Sequence, residues 1–201
     1  MLGSVEYDIG HTPMLVGAMR FPRTFIFVDL SGFTNYMEVK GDEASAVLLA
    51  KFRASARAVG SHLGVRIDKY LGDGLMAVAV EPENGINFAL KLQQRAILDC
   101  APLALRIGIA SGNTILFEGQ DFIGSAPNLA ARLCDAAVGI GTLIPAEQAV
   151  NLPIGIFAHA HPPVLLPGFA QPVEVVSLSG EPVTDLRLDT SPLWATSQPA
   201  N

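Results

Sequence analysis

Asp29 is the first residue whose setting demands chemistry. It follows Phe25, Ile26, Phe27 and Val28, and a carboxylate in so apolar a run is costly unless it is paired or holds a cation. Asp73 stands 44 positions later, between Gly72 and Gly74. The chain between reads as strand, helix and strand. Such a crossover makes the two strands parallel and brings their C-terminal ends to one sheet edge. Two carboxylates at one edge repel each other unless a divalent cation bridges them. Ligands that are all oxygen favour magnesium or manganese over zinc. Taken singly, Asp29 also reads as a strand-end carboxylate capping Ser31–Thr34, and Asp73 as ordinary Asp-Gly turn chemistry.

Other polar residues carry weaker signals. Lys69 continues the Val65 and Ile67 face of its strand, where a plain lysine snorkels to the strand end. Arg106 projects opposite Leu103, Leu105, Ile107 and Ile109, as a solvent-facing strand arginine also would. Asn128 and Arg132 are spaced i, i+4 on a helix and share a face. The plain alternative there is a bridge from Arg132 to Asp135. Asp121 alone is a loop carboxylate. His159 and His161, in FAHAHPP, lack zinc spacing and read as strand-end residues.

The elements that position these residues follow from periodicity. Residues 24–30 form a short apolar run suited to a strand buried on both faces. Residues 43–62 read as a helix with a stripe of Val47, Ala50, Lys51, Ala54, Ala58 and Val59. Strands at 65–71 and 74–80 flank Gly72-Asp73, a hairpin signal. A helix over 84–98 precedes an alternating strand at 103–111. Pro127 in the first turn opens a helix from Ser125 to about Gly139. Strands return at 155–160 and 171–178. The order is βαββαβ with extra C-terminal strands, an α+β ferredoxin-like core with its helices on one face of the sheet.

The chain has 201 residues, about one domain, with 50% apolar and 16% charged residues and a net charge of −6. That acidity gives no electrostatic footprint for nucleic acid. No apolar run approaches a membrane span, no secretory signal is visible at the start, and two cysteines make no disulfide framework. A cytoplasmic setting is expected. Residues 1–22 read as a lead-in, and the polar, Pro-dotted stretch 181–201 as a mobile tail.

FVDLSGFT, KYLGDG, LRIGIASG and DFIGSAPNLAARL, in that order, resemble the signature of class III adenylyl cyclase catalytic domains of the bacterial, homodimeric type. LPGFAQPVEVVSL resembles the closing strands, and the match spans roughly residues 23 to 178. The resemblance implies that Asp29, Asp73 and the backbone carbonyl of Leu30 hold two divalent cations, Mg2+ or Mn2+. It makes Lys69 and Asp121 the adenine readers, Lys69 donating to a ring nitrogen and Asp121 accepting from the exocyclic amine. A guanine carbonyl facing Asp121 would be rejected. Asn128 and Arg132 orient the ribose and stabilise the transition state, Arg106 holds the triphosphate, and the backbone of Gly32, Phe33 and Thr34 contacts phosphate.

The implied reaction is attack of the ribose 3′-hydroxyl of ATP on its α-phosphorus, with pyrophosphate leaving. The family works as a dimer with composite sites, and this chain carries both residue sets, as a symmetric homodimer requires. Two departures stand out. Pro127 lies directly before Asn128, and Pro167 stands where many members carry a triphosphate lysine. A nucleotide-binding pseudocyclase with little turnover is the alternative reading. A ferredoxin-like RNA-binding or interaction domain is disfavoured by the acidic charge and the lack of an aromatic-basic sheet signature.

Overall fold

A computed structural model describes residues 19–181 apart from 120 and 140. The central strand β1 (Arg20–Ser31) is followed by α1 (Phe33–Leu63), the hairpin β2 (Arg66–Leu71) and β3 (Gly74–Ala79), and α2 (Pro82–Asp99). The long strand β4 (Ala104–Phe117) leads to the short β5 (Asp121–Ile123) and then α3 (Ser125–Ala136). β6 (Gly141–Pro145), β7 (Ile156–Ala160) and β8 (Val175–Gly180) complete one sheet of order β2-β3-β1-β4-β6-β8-β7, with β5 paired to β4. The first four strands in that order are the ferredoxin-like core expected from the βαββαβ pattern.

Alternation along β1 sets the layers. Ile26, Val28 and Leu30 face α1 and α2, packing with Leu48, Phe52, Ala56 and Val59 of α1 and Ile86, Ala89 and Leu92 of α2. Phe25 faces the other way, with Met76, Val78 and Ala110, against Ala126 and Ala130 of α3. The middle of β1 is therefore buried on both faces, as its apolar run predicts. The helices, however, do not lie on one face: α3 covers the side opposite α1 and α2. Gly108 permits this close approach, since a Cβ there would collide with the Ala130 carbonyl and the backbone of Leu133 and Cys134.

Several boundaries differ from the sequence reading. β1 starts at Arg20, where Arg20–Pro22 already pair with Ile115–Asn113, so the lead-in ends earlier than residue 22. Helix α1 starts at Phe33 rather than 43, with a break at Gly41 (φ 81°, ψ 172°). Its buried stripe is Ser45, Leu48, Phe52, Ser55, Ala56 and Val59, not the expected one: Val47 is exposed, and of the residues named only Val59 is buried. Small alanines and the stem of Lys51 mimic an apolar stripe, whereas burial follows the larger Leu48 and Phe52. β5 and β6 were not foreseen, because runs of three to five residues give too few periods to read. The closing strand is 175–180 instead of 171–178. The stretch 182–201 lies outside the described residues.

Candidate active site at the sheet edge

Asp29 and the turn that carries Asp73 lie at one edge of the sheet, as the crossover argument requires. β1 and β2 both run antiparallel to β3 and so are parallel to each other. In the β1–β3 ladder Asp29 stands opposite Gly74, the residue after Asp73. A Cβ on Gly74 would lie 2.7 Å from the Val28 carbonyl and 3.3 Å from Asp29 Oδ1, so the Asp29 carboxylate sits directly over the end of the hairpin. Gly72 takes φ +66°, the left-handed backbone that this two-residue turn needs at its first position. Burial pushes the Asp73 carboxyl above its ordinary value, its own backbone hydrogen bond opposes that rise, the Asp29 charge adds to it and Arg106 relieves it. The two acids therefore feel each other.

Arg106 lies across the ladder from Asp29 and its Nε donates to Asp29 Oδ2 at 2.7 Å. That bond raises the guanidinium pKa. Its Nη1 reaches the Asp135 carbonyl at 3.5 Å. Arg106 does face away from Leu105, Ile107 and Ile109, which are fully buried, as the alternation predicts. At the same edge Gly32 (φ 84°) precedes the first turn of α1, which holds Phe33 and Thr34. Free N–H groups of a helix start suit an anion.

Lys69 is placed by a different route from the one expected. A β-bulge separates Ile67, paired with Ala77, from Lys69, paired with Met76. Asp68 is the extra residue. Ala77 belongs to the α1/α2 side and Met76 to the α3 side, so the bulge turns Lys69 away from the Ile67 face. There it forms an ion pair with Asp121 of β5, which, with its hydrogen bond and charge, raises the lysine pKa against partial desolvation. The side chain of Asp68 is only 6% exposed; Oδ1 is held by Arg66, while Oδ2 is buried without a partner.

Asn128 lies on the exposed side of α3, while Ala126 and Pro127 are buried. The helix is continuous through Pro127, since a proline in the first turn removes only an N–H with no partner inside the helix. Arg132 makes the plain bridge foreseen for it, Nη1 to Asp135 Oδ2 at 3.5 Å. Asp29, Arg106, Asp135 and Arg132 thus form one polar line, and Lys69 with Asp121 a separate pair. Pro167 is exposed in a loop beside Gly168. His159 of β7 pairs with Ser179 Oγ at 2.7 Å, as a strand residue.

One contact at the site had no sequence signal. Arg53 of α1 donates from Nη2 to the Gly72 carbonyl at 3.0 Å, and a helical arginine 19 residues from a turn offers no pattern that foretells this. Among the described residues no group of three or more His, Cys, Asp or Glu side chains is placed to hold a metal. The donor set at the edge is smaller: two carboxylates with the nearby Leu30 backbone. Its all-oxygen chemistry fits a hard divalent cation.

No protein-family profile matches the chain. An uncharacterised protein of Mycobacterium tuberculosis is 34% identical over 156 residues, 78% of this chain and 41% of its own length. A Streptomyces griseus protein named adenylate cyclase is 30% identical over 126 residues, 63% of this chain and 31% of its own. The chain spans less than half the length of these curated relatives. Among solved structures, the adenylyl cyclase CyaB from P. aeruginosa superposes with a TM-score of 0.69 at 23% identity, covering 80% of this chain and 94% of that one. The guanylyl cyclase Cya2 gives 0.69 at 22% identity, covering 84% and 98%. Among the described residues no helix is long and apolar enough to cross a membrane.

Proposed function

We propose that this chain, which has the fold of class III nucleotidyl cyclase catalytic domains and sequence kinship to proteins named adenylate cyclase, converts ATP to cyclic AMP and pyrophosphate. The observation that carries the reading is the placement of Asp29 opposite Gly74, one residue from Asp73. It supports the reading by bringing Asp29 and the Asp73 turn to one edge of the sheet.

Asp29, Asp73 and the Leu30 carbonyl would hold two divalent cations, Mg2+ or Mn2+. When bound, such ions lower the pKa of the attacking 3′-hydroxyl and stabilise charge at the α-phosphorus. The chain's own residues do the rest. N–H groups of Gly32, Phe33 and Thr34 bind phosphate oxygens. Arg106 leaves Asp29 and turns to the triphosphate. Lys69 donates to an adenine ring nitrogen, and Asp121 accepts from the exocyclic amine. Asn128 orients the ribose, and Arg132 puts a cation where charge develops on the α-phosphate.

The sites are composite in a homodimer, one chain giving the metal aspartates and its partner the base readers with Asn128 and Arg132. The stretch from β1 to β8, residues 20–180 rather than the expected 23–180, forms the catalytic unit. An ATP substrate and two free cysteines, Cys100 and Cys134, agree with a cytoplasmic setting.

Incubation of the purified protein with ATP and Mn2+ is expected to yield cyclic AMP. Asp29→Ala and Asp73→Ala should each abolish it, and activity retained in either variant would end the two-carboxylate assignment. A pseudocyclase is the second reading. It draws on the Arg106–Asp29 bond, which occupies Asp29 Oδ2 and offsets the charge offered to a metal, and it predicts ATP binding without product.

A further inference from the structure

Asp73 sits on a two-residue turn, and turns move unless something outside them fixes their position. Nothing would lie within 4 Å of a Cβ on Gly72, so close packing does not hold that side of the turn. The external tie comes from α1. Phe52 and Ala56 anchor that stretch of helix in the core, and Arg53, next to Phe52, extends toward β2. Its guanidinium stacks on the Tyr70 ring, with Cζ 4.6 Å from the centroid, and Nη2 donates to the Gly72 carbonyl at 3.0 Å. Tyr70 is itself held, packed against the main core and contacted at its hydroxyl by Arg57 Nη1 at 3.4 Å. Arg53 Nε lies buried with no acceptor, so the side chain is fixed by ring and carbonyl rather than by full satisfaction of its donors.

We infer that Arg53 is a positioning residue for the cation site: through the Gly72 carbonyl it locks the turn that presents Asp73 toward Asp29. The inference rests on the two-carboxylate reading above. Arginine suits the task because its planar fork stacks on an aromatic face and donates sideways at the same time, which a lysine ammonium cannot do. Groups that orient a metal ligand without touching the metal typically contribute tenfold or more to its affinity.

The test compares wild-type protein with Arg53→Gln, Arg53→Lys and Arg57→Gln. Mn2+ binding is read from the electron paramagnetic resonance of free Mn2+, and amide exchange is followed at residues 71–75. Arg53→Gln should weaken Mn2+ binding roughly tenfold and speed exchange at the turn. Arg53→Lys should recover only part of both. Arg57→Gln, which loses a contact to Tyr70 but none to the turn, should change neither. In turnover the Mn2+ midpoint should rise in Arg53→Gln while KM for ATP at saturating metal holds. A folded Arg53→Gln with wild-type exchange and Mn2+ binding overturns the role of Arg53. Wild-type protein that binds no Mn2+ overturns the two-carboxylate reading instead. If Arg53→Gln does not fold, Arg53→Lys is judged by the same criteria.

Discussion

Lys69 and Asp121 reach each other only because one residue, Asp68, is inserted into the β2–β3 ladder. Both side chains remain substantially exposed, so the pair itself adds little stability and opens at little cost. Base choice should therefore reside in these two residues. Changing Lys69 to Glu and Asp121 to Ser replaces a donor with an acceptor and removes the partner of the adenine amine. The ratio of kcat/KM for GTP over ATP should rise more than about tenfold, and an unchanged ATP preference would exclude both as base readers. Asp73 lends itself to a separate test at this scale. Its carboxylate is penalised by burial and by Asp29, so Asp73→Asn should abolish turnover while the melting temperature at pH 7 stays level or rises. A marked fall in melting temperature would mean that Asp73 is a structural ligand and not a strained functional one.

The elements are tied together by contacts of very different kinds. α3 rests on β4 through Gly108, and a methyl group there must push the helix away. Gly108→Ala should cost about 1–3 kcal/mol in chemical denaturation and displace Asn128 and Arg132 together. An unaltered stability would place α3 farther from β4 than described. α1 and α2 are joined by Ser55 Oγ donating to Asp99 Oδ2 at 2.6 Å, with Arg95 Nε on the same oxygen at 2.5 Å. Burial raises the Asp99 pKa, but the bonds from Ser55 and Arg95 outweigh it and bring the group below its ordinary 3.8. A depressed folded pKa stabilises above the unfolded value and is lost as pH falls through the folded one. Wild-type stability should thus drop below about pH 4 more steeply than that of Asp99→Asn. Melts at stepped pH would show parallel profiles if the link were idle. Ser55→Ala should cost about 1–2 kcal/mol at pH 7.

At the scale of the molecule, the proposed function gives each chain a metal-side set, Asp29 and Asp73, and a nucleotide-side set, Lys69, Asp121, Asn128 and Arg132. In a composite homodimer these sets serve different sites. Mixing an Asp73→Ala chain with an Arg132→Ala chain should then restore activity, up to one intact site per dimer. Heterodimers shown to form by co-purification of two differently tagged chains, yet inactive, would argue for sites built within one chain.

Much of the fold was legible because its signals are local. Apolar runs, the Gly72-Asp73 turn and the proline at the start of α3 each settle an element within a few residues. The placement of Asp29 and Asp73 at one sheet edge was legible too, because crossover topology constrains strand direction regardless of side chains. What the chain order left open was decided by pairing across the sheet. The bulge at Asp68 changes the face of Lys69 without altering any local pattern. The second layer formed by α3 depends on a glycine lying under a helix backbone. The Arg106–Asp29 and Arg53–Gly72 contacts join residues 77 and 19 positions apart, for which periodicity carries no information. Registry and close approach are properties of the assembled sheet, and only tertiary structure specifies them.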